Sequence, residues 1–329
     1  MAQVPPPSFL TSPSSRLLVP EAVQLREVRW MYVVPMALVH ALALLACWPA
    51  LYSGWGLAAL LVGVIVFGQG INLCYHRLLT HRSFATPRWF EHGLVIFALC
   101  SLEDTPIRWV TTHRVHHLHS DERPDPHSPL VTFLWGHMGW LMFKNPQAQS
   151  LEAYQKYSSD LLRDRFYRKL ESKPWITLVI YVAHLLLLGL VGAAIGWATT
   201  GDRSEALRLG LSVLVWGGLL RTVAVWHITW SVNSLSHLFG YRNYDTPDDS
   251  TNNWLVGLIA SGEGWHNNHH HDPTAASVWR RWWEFDLTYV VIVLLSWVGL
   301  AREIVPPREV RVARAKEKKE QQAEVAKVG

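Results

Sequence analysis

The chain has 329 residues and a formal net charge of +4; half of its residues are hydrophobic and 17% are charged, against roughly 25% charged in an ordinary soluble domain. It carries 18 tryptophans, a residue that gathers where an apolar ring meets the wet edge of a membrane. This balance points to an integral membrane protein and away from a nucleic-acid binder, since the basic residues are grouped by region as membrane topology requires. The three cysteines, Cys47, Cys74 and Cys100, lie in or beside apolar runs without CxxC spacing. That argues against a disulfide framework and against a thiolate metal site.

Residues 1–30 are rich in Pro and Ser and lack an apolar segment. They read as a disordered arm, with no signal peptide. Four runs reach the ~20 residues that a spanning helix needs: 31–52, 55–75, 175–199 and 207–230. Ser53 and Gly54 make the turn between the first two. Runs 94–102 and 289–300 are shorter and suit buried or interfacial helices. The first hairpin turn has no Lys or Arg, the third connection has Arg203 and Arg208, and residues 76–174 and the tail from Arg302 are rich in both. Cytoplasmic segments carry that excess, so the middle segment and both termini are expected on the cytoplasmic side. A span at 289–300 would send the basic tail outside and is rejected. The tail 302–329 is charged without an apolar stripe and reads as a solvated helix or disorder.

Histidine is concentrated in three clusters on the predicted cytoplasmic side: His76 and His81 in HRLLTH; His113, His116 and His117 in HRVHH; His266, His269 and His270 in HNNHH. Asn233 and His237 follow the fourth run. Positions i, i+3 and i+4 share a helix face, so each HxxHH is expected to aim three imidazoles at one point. His76 and His81 are i, i+5, roughly 140° apart on an α-helix; they would not share a face of an ideal helix, but could straddle a site or sit where the helix ends. Neutral imidazole is the commonest protein ligand for Zn, Cu, Fe and Ni. Nine histidines exceed what one ion takes and suit a dinuclear centre. His40, His92, His184 and His227 lie in or near apolar segments and read as hydrogen-bonded structural residues. His119, His127, His137 and His271 fall off the spacing and stay outside the ligand set.

An all-nitrogen set does not choose iron over zinc. Two metals against a bilayer suit redox activation of O2 and attack on an unactivated C–H bond of a lipid chain, chemistry that no side chain performs alone. HRLLTHRSF, HRVHHLHSDERPDPHSP, WSVNSLSHLFGYR, GEGWHNNHH and WWEFDLT resemble the membrane-bound fatty acid desaturases of the Δ9 group, which act on stearoyl-CoA-type or acyl-lipid substrates. The resemblance covers residues 69–300. It implies an all-α membrane protein with four transmembrane helices and a helical cytoplasmic cap that holds a di-iron site. The desaturase domain is then 31–301, with cap segments 76–174 and 231–301.

The resemblance further implies insertion of a cis double bond, Δ9 by analogy, using two Fe2+ ions, O2 as co-substrate and two electrons. It implies His76, His81, His113, His116, His117, His237, His266, His269 and His270 as metal ligands, with Asn233 acting through water. It places Trp109, Thr229 and Trp230 along the acyl tunnel. Trp135, Trp140, Trp226 and Trp265 also surround the boxes, where interface anchoring accounts for them equally well. Asp121, Asp125 and Glu263 are candidates to orient metal-bound imidazoles through the other ring nitrogen; a helix cap or surface ion pair explains each equally.

No haem, flavin or nicotinamide fingerprint is present, so electrons are expected from a separate cytochrome b5, ferredoxin or rubredoxin. Arg163, Arg165, Arg168 and Lys169 suit such an acidic partner, and suit anionic lipid or the phosphates of CoA as well. SLEDTPIRWV departs from the family pattern: Glu103 and Asp104 precede Pro106, and Arg108 precedes Trp109. That leaves acyl-CoA and acyl-lipid substrates unseparated. The expected setting is a bacterial inner membrane or the endoplasmic reticulum. Competing readings are a hydroxylase on the same scaffold, a zinc-dependent membrane hydrolase, and a membrane metal transporter, which would place polar ligands inside the spans.

Overall fold

The computed structural model describes residues 8–9 and 17–328, with side chains from 17 to 324. Four helices are long and apolar enough to cross a membrane: Trp30–Cys47, Gly54–Thr80, Trp175–Thr200 and Arg203–Leu235. Their outward faces are apolar, with Val34, Leu38, Leu61, Ile65, Leu186 and Leu190 all exposed, as lipid contact requires. The second and fourth spans run past the ends that hydropathy set at 75 and 230. The polar residues that stopped the apolar count at 75, His76 and Arg77, are buried and paired.

Local chemistry fixes the two hairpins. Ser53 caps the second span by accepting from the Gly56 amide at 2.9 Å, and its hydroxyl meets Ser212 of the fourth span at 2.7 Å. Gly201 closes the third span with φ 68°, and Asp202 caps the fourth through the amides of Ser204 and Glu205. The third and fourth spans pack backbone to backbone. A Cβ at Gly192 would stand 2.7 Å from the Leu209 carbonyl, and one at Gly210 would stand 2.8 Å from that of Gly189; small residues at such contacts are what lets membrane helices approach. Arg221, buried inside the fourth span, donates to His184 at 2.7 Å and to the Cys100 carbonyl at 3.1 Å and lies over the Phe67 ring. It clasps three spans to the helix Arg88–Leu99.

Both residues 81–174 and residues 236–307 gather over the end of the bundle where the second and fourth spans finish. Helix Pro106–His119 begins with Pro at its first turn, where the missing N–H costs nothing. Arg114 fastens it by donating to the Leu79, Thr80 and Tyr157 carbonyls and to Asp160. The short helix His266–His271 is held by amide chemistry: Asn268 accepts from Asn243 and Asn252 and donates to the Val278 carbonyl and Glu284. The shorter apolar run 289–300 forms Leu287–Trp297, too short to span.

The N-terminal arm differs in part from its expectation. Residues 1–7 and 10–16 lie outside the described residues, but Gln24–Val28 form a strand antiparallel to Phe143–Lys144. The charged tail forms the helix Arg308–Val328.

Candidate metal centre

The second span does not end as an α-helix. From Gly70 to Thr80 it winds as a π-helix, and the His81 amide donates to the His76 carbonyl at 3.1 Å. An i→i+5 ladder returns residues five apart to nearly the same side. His76 and His81, expected on different faces, therefore stand with ring centroids 4.8 Å apart. The expectation failed because it assumed 3.6 residues per turn.

The nine histidines meet in two adjacent groups: His76, His81, His113, His117 and His269 in one, His116, His237, His266 and His270 in the other, with nitrogens in each within 4.8 Å of one another. Each HxxHH thus divides between the groups rather than aiming at one point. Residues i and i+4 are about 40° apart around a helix, whereas i+3 and i+4 are about 100° apart. His113 with His117, and His266 with His270, accordingly stay together, while His116 and His269 turn to the other group. Asn233, four residues before His237, lines the cavity that both groups border.

Carboxylates fix the ring orientations. His237 Nδ1 lies 2.6 Å from Asp121, His116 Nδ1 2.9 Å from Asp125, and His270 Nδ1 2.7 Å from Asp248. His76 Nδ1 lies 2.7 Å from Glu263. With Nδ1 turned to a carboxylate, Nε2 is the nitrogen left to face the group centre. Nε2 of His81, His116 and His237 is buried with no hydrogen-bond partner among the described residues, an arrangement that costs roughly 1–3 kcal/mol per group if left so. A cation in each group answers it, so this donor set fits two metal ions.

Charge agrees with that fit. Burial, reinforced by neighbouring rings, holds His81, His113, His116, His117, His266 and His269 well below the usual imidazole range. They are neutral at pH 7, the form that binds metal. Burial opposes charge at His237 as well, but the facing Asp121 carboxylate outweighs it and pushes the imidazole up to about 9. Glu263 is held down at about 2, where the Arg77 and His76 charges overcome its burial. Asp121 and Asp248 are held below the carboxylate range by their histidines, whereas burial lifts Asp125.

Two residues that the sequence did not single out belong to this framework. Asp248 lies on a loop, 22 residues before its histidine, with no periodicity to link them. Arg77, buried at the end of the second span, donates to Glu263 at 2.8 Å and to Asp286 at 2.8 Å. A cation inside an apolar run was its available signal.

Most of the other histidines are hydrogen-bonded elsewhere. His92 meets Asp164 at 2.8 Å. His40 donates from Nδ1 to the Met36 carbonyl, which can only accept. Its Nε2 therefore accepts from His227 Nε2 at 3.1 Å, and His227 Nδ1 accepts from His137 Nε2 at 2.9 Å. One carbonyl fixes three tautomers. His119 faces Glu122, and His271 stacks on Tyr244. His127 is buried against His116, ring centroids 4.3 Å apart.

A cavity of about 720 Å3 leads to the histidines, within the ~300–1,000 Å3 of small-molecule sites. His76, His113, His266 and Asn233 line its deep part together with Trp109, Thr229 and Trp230. The Trp109 ring stacks on His113 at 5.0 Å. Trp230 packs on Trp226 at 5.8 Å, and Thr229 donates to Glu103 at 2.9 Å. Burial pushes the Glu103 carboxyl up to about 8, so this wall carries a neutral acid at pH 7. Trp140 also borders the cavity; Trp135 and Trp265 are buried outside its lining.

Helices able to span a membrane, joined to a histidine-lined apolar cavity, define a class of membrane protein with histidine clusters that could hold metal. The chain belongs to the fatty acid desaturase family, whose model matches residues 53–293. It is 41% identical over 281 residues to the sn-1 stearoyl-lipid 9-desaturase of Anabaena variabilis, covering 84% of this chain and 94% of that one. It is 39% identical over 296 residues to the sn-2 palmitoyl-lipid 9-desaturase of Nostoc sp. (strain 36), covering 88% and 96%. An acyl-CoA 5-desaturase of Anemone leveillei is 36% identical over 280 residues, covering 85% and 80%.

Proposed function

We propose that the chain is an O2-dependent fatty acyl desaturase that places a cis double bond at Δ9 of a saturated acyl chain. The observation that carries this reading is the position of the two histidine groups, side by side where an apolar cavity ends. The nine histidines would hold two Fe2+ ions there, with Asn233 acting through water, and the ions would supply oxidation of an unactivated C–H bond. The protein's own part is positional. Trp109 and Trp230 form walls that hold a methylene pair near the histidines and keep bulk water away. Asp121, Asp125, Asp248 and Glu263 hold four rings with Nε2 inward.

The Lys and Arg distribution supports a cytoplasmic site with both termini on that side, in a bacterial inner membrane or the endoplasmic reticulum. Exposed Arg163, Arg165, Arg168 and Lys169 suit an acidic electron donor such as cytochrome b5, ferredoxin or rubredoxin. A hydroxylase on the same scaffold is not favoured by the relatives compared above, which are desaturases by name. The relatives act on both lipid-linked and CoA-linked chains by name, so they leave the carrier open.

The test is expression in a host whose fatty acids are profiled by mass spectrometry. A new monounsaturated chain, two hydrogens lighter than its precursor and absent without O2, is the expected result. A chain heavier by one oxygen, or an unchanged profile from iron-loaded protein, overturns the reading. Full iron content and full desaturation in His117→Ala would contradict the ligand assignment.

A further inference from the structure

The cavity opens sideways. Among its lining residues, Trp30, Met31, Val34, Trp175 and Leu178 are 49–75% exposed, and all lie in the first turns of the first and third spans. Deeper in the bundle, Met36, Val39, Tyr181, Trp226 and Trp230 form one buried cluster that closes the gap between the two helices. Trp30 and Trp175 are placed where aromatic rings sit at headgroup level; Val34 and Leu178 continue the opening by one turn into the hydrocarbon. The opening therefore crosses the boundary at which an ester-linked acyl chain leaves its glycerol.

The charges at this opening are already spent on one another. Arg29 and Arg108 are the guanidinium groups that line the cavity. Arg108 donates to Glu171 at 2.8 Å and to the Tyr32 hydroxyl at 3.0 Å and stands 3.9 Å from Asp104. Tyr32 in turn donates to Asp104 at 2.7 Å. Arg29 lies flat on the Tyr32 ring, 3.4 Å from its centroid. Of the basic helix Arg165–Ser172, the residue that reaches this network is the acidic Glu171, while Arg165, Arg168 and Lys169 are exposed and outside the cavity lining. A phosphate-rich carrier needs several uncompensated cations around its entry. Here the two arginines, Arg29 and Arg108, are matched by two carboxylates, Asp104 and Glu171.

We infer that the acyl chain enters laterally, from the bilayer, between the first and third spans, while still esterified to a membrane glycerolipid rather than to CoA. This rests on the desaturase reading and names its substrate carrier. The Tyr32–Asp104–Arg108–Glu171 network, with Arg29 over Tyr32, acts as a polar rim of no net charge for the glycerol ester region. The chain passes Val34 and Leu178 to reach Trp109 and the histidines.

The test uses membranes of a host in which full-length protein has already changed the total fatty acid profile. They receive two carriers whose chains cannot be exchanged: a glycerolipid with an ether-linked octadecyl chain, and the thioether of CoA with the same chain. Mass spectrometry reads the double bond in each. Desaturation of the ether lipid at least about tenfold above that of the thioether is expected. Desaturation confined to the thioether, or seen in neither carrier, overturns the inference and leaves desaturation itself standing. An unchanged total profile would instead remove the reading beneath it. A second arm narrows the opening with Val34→Trp and Leu178→Trp. Turnover of the ether lipid should fall by more than about fivefold with iron content unchanged. Unaltered turnover of that lipid in the double variant, verified by its iron content as folded, contradicts lateral entry.

Discussion

The two histidine groups stand side by side and are built differently. The group of five, His76, His81, His113, His117 and His269, has one carboxylate behind it, Glu263 on His76. The group of four, His116, His237, His266 and His270, has three: Asp125, Asp121 and Asp248. One group is rich in rings and the other is rich in the charges that orient rings. Asn233, four residues before His237 of the second group, also lines the cavity. The difference teaches that a dinuclear site need not be symmetric to be complete. A position short of protein ligand is the place where water or O2 finds room, and the extra carboxylates strengthen the remaining imidazole donors.

Removing a ligand should produce the largest effects. His116→Ala leaves three rings in the smaller group and should cost turnover by more than about a hundredfold, with iron content falling toward half. His81→Ala leaves four rings in the larger group and should retain more metal, though still losing turnover; losses at either exceed the roughly 10–100-fold typical of an outer carboxylate. Equal metal loss in the two variants would erase the proposed asymmetry.

Raising the pH separates the groups next. His237 is pushed up to about 9 by Asp121, so in metal-free protein a proton competes for it at neutral pH. Metal affinity of the smaller group should rise as pH climbs from 7 to 9, by up to about tenfold per unit, then level off. His81, His113, His117 and His269 of the larger group are already neutral at pH 7 and should show no such slope. Metal titration with proton-release measurement checks this. The same sign governs stability without metal. The His237–Asp121 pair contributes fully below the unfolded histidine value near 6.5, and its contribution is lost as pH rises through about 9.

Carboxylate substitutions sharpen the contrast further. Asp248→Asn should weaken metal binding by about 10–100-fold with little change in thermal stability. Glu263→Gln should do both, because Glu263 also holds buried Arg77, and breaking one side of a buried ion pair costs about 3–5 kcal/mol. Thermal unfolding of metal-free samples separates the two. Asn233→Ala should have the smallest effect, about threefold on the smaller group and none on the larger; isothermal titration at pH 8 reads both.

Much of the architecture was legible in the chain. Hydropathy located the four helices able to span, because lipid-facing residues must be apolar whatever they pack against. It missed their ends, since the second span carries buried His76 and Arg77, and the fourth half-buried Ser231 and Asn233, past the apolar run. Histidine spacing indicated that rings converge, yet it misjudged how. The π-helical turn at His76–His81 and the division of each HxxHH between groups depend on hydrogen-bond register and on where the neighbouring helix lies. Neither is written in local periodicity. Asp248 was hidden for a related reason: the loop from Tyr241 to Thr251 returns under the third box by tertiary contacts. The Glu103, Asp104 and Arg108 departures were visible as letters. Their meaning appeared only when Thr229, Tyr32 and Glu171, distant in sequence, came to face them.

The most direct test of two unequal metal positions is anomalous X-ray diffraction from crystals of the full-length, iron-loaded protein, recorded on both sides of the iron edge. The account predicts two iron peaks, one amid His76, His81, His113, His117 and His269, the other amid His116, His237, His266 and His270. A single peak, peaks away from these rings, or scattering that follows the zinc edge instead would contradict it.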